Sequence, residues 1–307
     1  MTLVDERASF LDSLVAARLL VRTGVRGVYG RGGPFEAVRD GLDDLVSRTA
    51  ADEAAEVLRF PPVIPRRMLE SSEYLRSFPH LAGTIFGFEG SEADAAGQYE
   101  AAHRHDDWSA YQSMTDLVLT PASCYPVYPA VAARSPLPPG GLTIDPGAAY
   151  VFRHEPSDDP ARLQMFHMRE LVRIADPETT LAWRDRWIQR GLELLRALGL
   201  DAAPDVAADP FFGRAGRMLA ANQREQQLKV EILVPIAGPE PTAVASFNYH
   251  QGYFATLHGI RSKAGSDVHT ACLGFGHERI VLALLRTHGL DPRVWPRSIR
   301  EQLGLAA

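Results

Sequence analysis

The chain has 307 residues, 46% of them hydrophobic, and a formal net charge of −6, which is enough apolar material for one large core or two smaller ones. No apolar run has the length of a membrane span, and Met1-Thr2-Leu3-Val4-Asp5-Glu6-Arg7 lacks the basic start and apolar stretch of a signal peptide, so the expected compartment is the cytoplasm. The acidic balance argues against a broad nucleic-acid footprint, which needs clustered Lys and Arg.

From Ser9 to Leu20, apolar residues recur at helical spacing through Phe10, Leu14, Ala17 and Val21, until Gly24, Gly27 and Gly30 break the pattern. Tyr29-Gly30-Arg31-Gly32-Gly33-Pro34 turns into a second helix ending near Ala50. With no Gly-Lys-Ser/Thr after it, this turn reads as a loop rather than a phosphate cradle. Glu56 to Phe60 predicts a short strand, Pro61 to Pro65 interrupts it, and Arg66 to Ser77 resumes a helical pattern. Gly97 to Leu117 predicts a helix in which His103 and Asp107 read as an exposed polar face rather than a metal pair. An apolar strand from Leu117 then runs into the loop that delivers Cys124.

Val151 to Glu155 and Met165 to Ile174 read as the strands of a hairpin, joined by a polar loop too long for a tight turn. Asp176-Pro177-Glu178 starts a helix that runs to Gly199, with Leu181, Ile188, Leu192 and Leu195 toward the core and Arg184, Arg186, Arg190 and Arg196 elsewhere. Asp209 to Arg217 is aromatic and basic and reads as a packed loop; Leu228 to Pro235 and Thr242 to Asn248 supply further strands. Strands between long helices, joined as hairpins, predict an α+β fold: an antiparallel sheet flanked by helices.

Alternation in the hairpin puts Arg153 and Glu155 on one face of the first strand, and Phe166, Met168 and Glu170 on one face of the second. A guanidinium, a ring and carboxylates on one surface suit a nucleotide; a solvated hairpin with cross-strand ion pairs is the plainer alternative. Further on, Gly274-Phe275-Gly276 leads into an apolar helix with Arg279 in its first turn. A cation there opposes the helix dipole, so a bound anion explains it better.

Together these stretches resemble motifs 2 and 3 of the class II aminoacyl-tRNA synthetases. The resemblance implies Arg153 on the α-phosphate of ATP, Glu155 near the adenine amino group, Phe166 stacked on adenine and Arg279 on the γ-phosphate. The proline-bearing stretch near Pro61 resembles motif 1 more loosely, and implies a homodimer.

The two cysteines, Cys124 and Cys272, are too few for a disulfide framework, yet both lie beside these motifs. With Glu170 they make three ligands of the kind zinc takes, leaving a fourth position open; two reduced, buried cysteines and a paired glutamate are the alternative. A Cys, Glu, Cys zinc site at these places resembles the methanogen-type seryl-tRNA synthetases and their truncated relatives, the amino acid:[carrier protein] ligases. The resemblance covers about residues 56–289, preceded by a helical segment over 1–50, in one catalytic domain spanning 1–307. It implies one Zn²⁺ per chain, ATP with Mg²⁺ held by Glu231 (Glu240 and Glu278 being alternatives), and a small amino acid, glycine first and alanine second. The acceptor it implies is the phosphopantetheine thiol of a carrier protein, with no tRNA and no membrane involved. A synthetase acting on tRNA and a non-catalytic regulatory paralogue are the competing readings.

Overall fold

A computed structural model describes residues 3–238, 240–263 and 265–305. In chain order, α1 (Leu3–Ala16) leads into β1 (Leu20–Arg22) and β2 (Tyr29–Arg31), then α2 (Gly33–Thr49), β3 (Glu56–Val57) and β4 (Val63–Pro65). Next come α3 (Arg66–Ser71), α4 (Tyr74–Ser77), β5 (Thr84–Phe88), α5 (Glu92–His103), β6 (Gln112–Leu119) and α6 (Val127–Ala132). The hairpin of β7 (Leu142–Phe152) and β8 (Met165–Ala175) is followed by α7 (Pro177–Ala197), β9 (Ala203–Val206) and α8 (Gly213–Glu225). Finally β10 (Lys229–Pro235), β11 (Pro241–Gln251), α9 (Tyr253–His258), β12 (His269–Gly276) and α10 (His277–His288) complete the site. Among the described residues no helix is long and apolar enough to cross a membrane.

Seven strands form the main sheet in the order β3-β7-β8-β12-β11-β10-β9, with β3 and β7 parallel and the other neighbours antiparallel. Its two faces are covered differently. Leu171, Leu273, Phe275 and Phe247 pack with Trp187 of α7, Ile280 and Leu284 of α10, Leu14 of α1, and Phe35 and Leu42 of α2. On the other face Ile144, Val172 and Ile174 pack with Val127, Tyr128 and Phe254, and this second cluster includes both cysteines. Burying each such side chain contributes roughly 1.5–3 kcal/mol, so both faces are firmly specified.

The α7 start is as the sequence predicts: the Asp176 side chain caps it by accepting from Thr179 N at 2.9 Å, and Pro177 occupies the first turn. Several other expectations are corrected. The first helix is shifted toward the N-terminus and closes at Ala16, where Leu19 N donates to Leu14 O and Arg18 turns left-handed. The N-terminal segment is not wholly helical, because Leu20–Arg22 and Tyr29–Arg31 pair as a hairpin. Residues 97–117 are not one helix. A capping box at Ser91 and Asp94 starts α5 earlier, His105 at φ 60 follows its end, and the chain becomes β6 from Gln112. The strand expected over 56–60 stops at Val57, and the helix over 66–77 is broken where Glu73 adopts φ 52. In α7, Leu181 is exposed, and Trp183 and Trp187 fill the core instead.

Candidate active site

Strand register assembles the site on the face away from α7 and α10. Glu231 is opposite Ser246, Ser246 opposite Gly274, and Gly274 opposite Glu170, so one row crosses four strands. The next row carries Lys229, Asn248 and Cys272. Directly opposite residues have Cβ atoms roughly 5 Å apart, and Gly274 leaves the middle of the first row bare.

Cys124, Glu170 and Cys272, separated widely in sequence, converge: their ligand atoms all lie within 4.8 Å of one another, and all three residues are buried. Cys124 comes from the turn after β6, where its carbonyl accepts from Val127 N at the start of α6. Glu170 Oε1 accepts from Ser123 N at 2.9 Å, while Oε2 is buried without a hydrogen-bond partner. Cys272 Sγ lies 3.6 Å from both Asn248 Nδ2 and His250 Nε2. Burial, with the neighbouring Cys272, pushes the Glu170 carboxyl up to about 8. The Cys124 thiol is raised by its hydrogen bond to Cys272 and by burial, and that same bond holds Cys272 low. Two sulfurs, a carboxylate with an orphaned oxygen and a fourth direction open to a cavity fit a zinc ion of the catalytic type.

The expected nucleotide residues occupy the adjoining part of the same face, with corrections. β7 ends at Phe152, earlier than expected; Arg153 extends the pairing by one bond, its N–H donating to Gln164 O at 2.9 Å, and Glu155 lies in the loop beyond. The Arg153 guanidinium sits 5.6 Å from the centroid of the Phe166 ring. Glu155 pairs with Arg162 at 3.8 Å. Arg279 does not depend on a ligand for its position in the first turn of α10. Its Nε donates to Ala161 O at 2.8 Å and its Nη1 to Ala243 O at 2.9 Å. Burial and the nearby Arg153 and Arg162 push it down to about 10, so it stays a cation at neutral pH. Glu231 is on the site face but already pairs with Lys229 at 3.0 Å. Of the alternatives, Glu278 is buried on the opposite side with Arg31 and His167, and Glu240 is exposed beside Arg7.

A cavity of about 390 Å³ adjoins the cluster. Its lining grades from buried Cys124, Glu170 and Cys272 to exposed Glu73, Leu219 and Tyr253; Arg153 lines it, whereas Phe166 and Arg279 do not. Sequence reasoning missed what shapes its mouth. Buried Lys229 pairs with Asp209 at 2.6 Å, Gln223 of α8 donates to Asp209 at 2.9 Å, and Phe211 stacks on Phe78 at 5.1 Å. The signal was the aromatic and charged stretch from Asp209, whose partners are too distant in sequence to infer.

A mainly antiparallel sheet in this strand order, flanked by helices, is the fold of the class II aminoacyl-tRNA synthetases. The chain superposes on M. kandleri seryl-tRNA synthetase, solved with A. aeolicus tRNASec, with a TM-score of 0.81 at 23% identity, over 97% of this chain and 60% of that one. Giardia lamblia prolyl-tRNA synthetase with prolyl-adenylate gives 0.70 at 17%, over 96% and 56%. No protein-family model matches the chain. The amino acid–[acyl-carrier-protein] ligase 1 of Bradyrhizobium diazoefficiens is 45% identical over 96% of this chain and 90% of its own length. The type-2 serine–tRNA ligase of Methanopyrus kandleri is 27% identical over 88% of this chain and 54% of its own length. The chain belongs to the amino acid–[acyl-carrier-protein] ligase family.

Proposed function

We propose that the chain condenses a small amino acid with ATP to an aminoacyl adenylate, releasing pyrophosphate, and passes the acyl group to the phosphopantetheine thiol of a carrier protein, releasing AMP. The reading is carried by the buried Cys124–Glu170–Cys272 cluster beside Arg153 on one sheet face. Phe166 stacks on adenine, Glu155 accepts from its amino group, and Arg279 binds the γ-phosphate. Arg153, between the nucleotide residues and the cavity, neutralises the α-phosphate as the carboxylate attacks it, a contact that strengthens with developing charge. Glu231, which pairs with Lys229 at 3.0 Å, is the residue that would hold the Mg²⁺ of ATP. A zinc ion on Cys124, Glu170 and Cys272 would supply a Lewis acid with one open position for the substrate α-amino group. Glycine first and alanine second rest on the family likeness alone; Phe254, stacked on Tyr128 at 4.2 Å, is the aromatic residue beside the cluster in the cavity lining.

Residues 1–307 act as one catalytic domain in this reading, since α1 and α2 share a core with the sheet. The homodimer rests on the likeness to motif 1. The test is amino-acid-dependent ATP–pyrophosphate exchange across the common amino acids, followed by transfer to holo carrier protein or to tRNA. Exchange led by glycine and thioester label on the holo carrier are expected; a profile led by a large or charged amino acid, or label entering tRNA, overturns the reading.

The carrier docks at the cavity mouth. The arginines of α7 are not free for it. Arg184 is buried and donates to Gln227 O at 2.7 Å, Arg186 and Arg190 pair with Glu53 and Asp52, and Arg196 donates to Ala202 O. In α8, Arg214 and Arg217 are exposed, beside Met218 and Leu219. Arg214→Glu with Arg217→Glu is expected to slow carrier loading by about tenfold at low salt, the low end of electrostatic steering, with exchange unchanged. Equal loading by the variant and the wild type in a carrier titration would remove α8 from the interface.

A further inference from the structure

The β1–β2 hairpin touches the nucleotide side of the site twice, and no step of the proposed reaction uses it. At its tip, Gly27 O accepts from Gln164 N at 2.8 Å, Arg26 O accepts from Gln164 Nε2 at 2.8 Å, and Arg26 pairs with Asp158 at 3.0 Å. Gln164 is buried, and its carbonyl is the acceptor for Arg153 N. The tip therefore grips the loop through the residue paired with Arg153. Gly27 has φ +74, and a Cβ there would meet Arg162 O at 3.1 Å and Gln164 Cγ at 3.2 Å, so this approach is one that glycine permits.

At the base of the hairpin, Arg31 donates to Glu278 Oε1 at 2.5 Å, and also to Glu36 and the Tyr150 hydroxyl. The buried Glu278 carboxylate accepts from His167 N at 2.8 Å and lies 2.8 Å from His167 Nδ1. His167 follows Phe166 and Glu278 precedes Arg279. Through Glu278, one guanidinium thus braces the strand that carries Phe166 against the helix that carries Arg279. Strand alternation puts His167 on the sheet face opposite Phe166, so Arg31 acts without touching ATP.

Resting on the ATP assignment above, we propose that the N-terminal hairpin is a positioning element for ATP. Arg31, through Glu278, fixes Phe166 relative to Arg279, and the Gly27 tip fixes the loop that carries Glu155 and Arg162. Neither contact reaches Cys124, Glu170 or Cys272, so nucleotide and amino acid respond differently to its loss.

The experiment measures KM for ATP and for the amino acid in pyrophosphate exchange by the full chain. Arg31→Ala is expected to raise the ATP KM by about tenfold or more, within what misplacing a binding group costs, and to leave the amino-acid KM unchanged. Arg31→Lys keeps the charge but loses the forked geometry, and recovers part of the effect. Gln164→Ala removes the side-chain bond to Arg26 O at the tip and leaves Arg31 untouched; it moves the ATP KM the same way by a smaller amount, and thermal melting confirms that each variant is folded. The proposal is overturned if ATP and amino-acid KM rise together, or if folded Arg31→Ala and Gln164→Ala both keep the wild-type ATP KM. Wild-type protein with no ATP-dependent exchange would instead remove the ATP assignment itself.

Discussion

Arg279→Ala is expected to lower amino-acid-dependent exchange by about 10²–10³, the usual cost of losing one donor to a developing charge. Two effects add. The phosphate loses its cation, and the carbonyls of Ala161 and Ala243 lose the donors at 2.8 and 2.9 Å. A buried acceptor left unpaired costs roughly 1–3 kcal/mol, so the variant should also melt at a lower temperature. Arg279→Lys separates the two contributions: it keeps a charge but cannot serve two carbonyls and a phosphate at once, and should fall between. Near-normal exchange in a folded Arg279→Ala protein would place the residue outside the chemistry.

The second large effect concerns the metal. Purified protein is expected to carry about one zinc per chain, since three ligands with one open position make a single catalytic-type site. Cys124→Ser, Glu170→Ala and Cys272→Ser should each release it and stop amino-acid activation. Removing the ion with a chelator should also lower the melting temperature, because binding to the folded state alone stabilises it in proportion to RT ln(1 + [L]/Kd). Glu170 gives the sharpest contrast, since without an ion its Oε2 has no partner in a buried place. Fully active protein that contains no zinc by elemental analysis would eliminate the site.

What could be read from sequence was local. Asp176 and Pro177 announce α7 because a cap and a first-turn proline act within four residues. Arg153, Phe166, Gly274 and Arg279 stand out because their spacing resembles known motifs, and the two cysteines, each beside one, meet at Glu170 in the structure. What failed was non-local or conditional. The β1–β2 hairpin gains its stability from Gln164 and Glu278, far along the chain, and the Asp209–Lys229–Gln223 cluster needs three elements to meet. The start of α5 is an exception, since the capping box of Ser91 and Asp94 is a local signal that the sequence carries. The partners of the α7 arginines were equally hidden, because charge on a helix does not reveal that Asp52 and Glu53 lie within reach.

The strand order has a consequence for biosynthesis. β12 sits between β8 and β11, yet it is made after both. A nascent chain that has reached Gln251 therefore holds two half-sheets, β3-β7-β8 and β11-β10-β9, each with an open inner edge of the kind that pairs wrongly with other chains. The strand that joins them brings Cys272 with it, and Arg279 follows at once on α10. Closing the sheet and completing the site are thus coupled: a chain that stops short of β12 has a split sheet, and it has Cys124, Arg153 and Glu170 without Cys272 and Arg279.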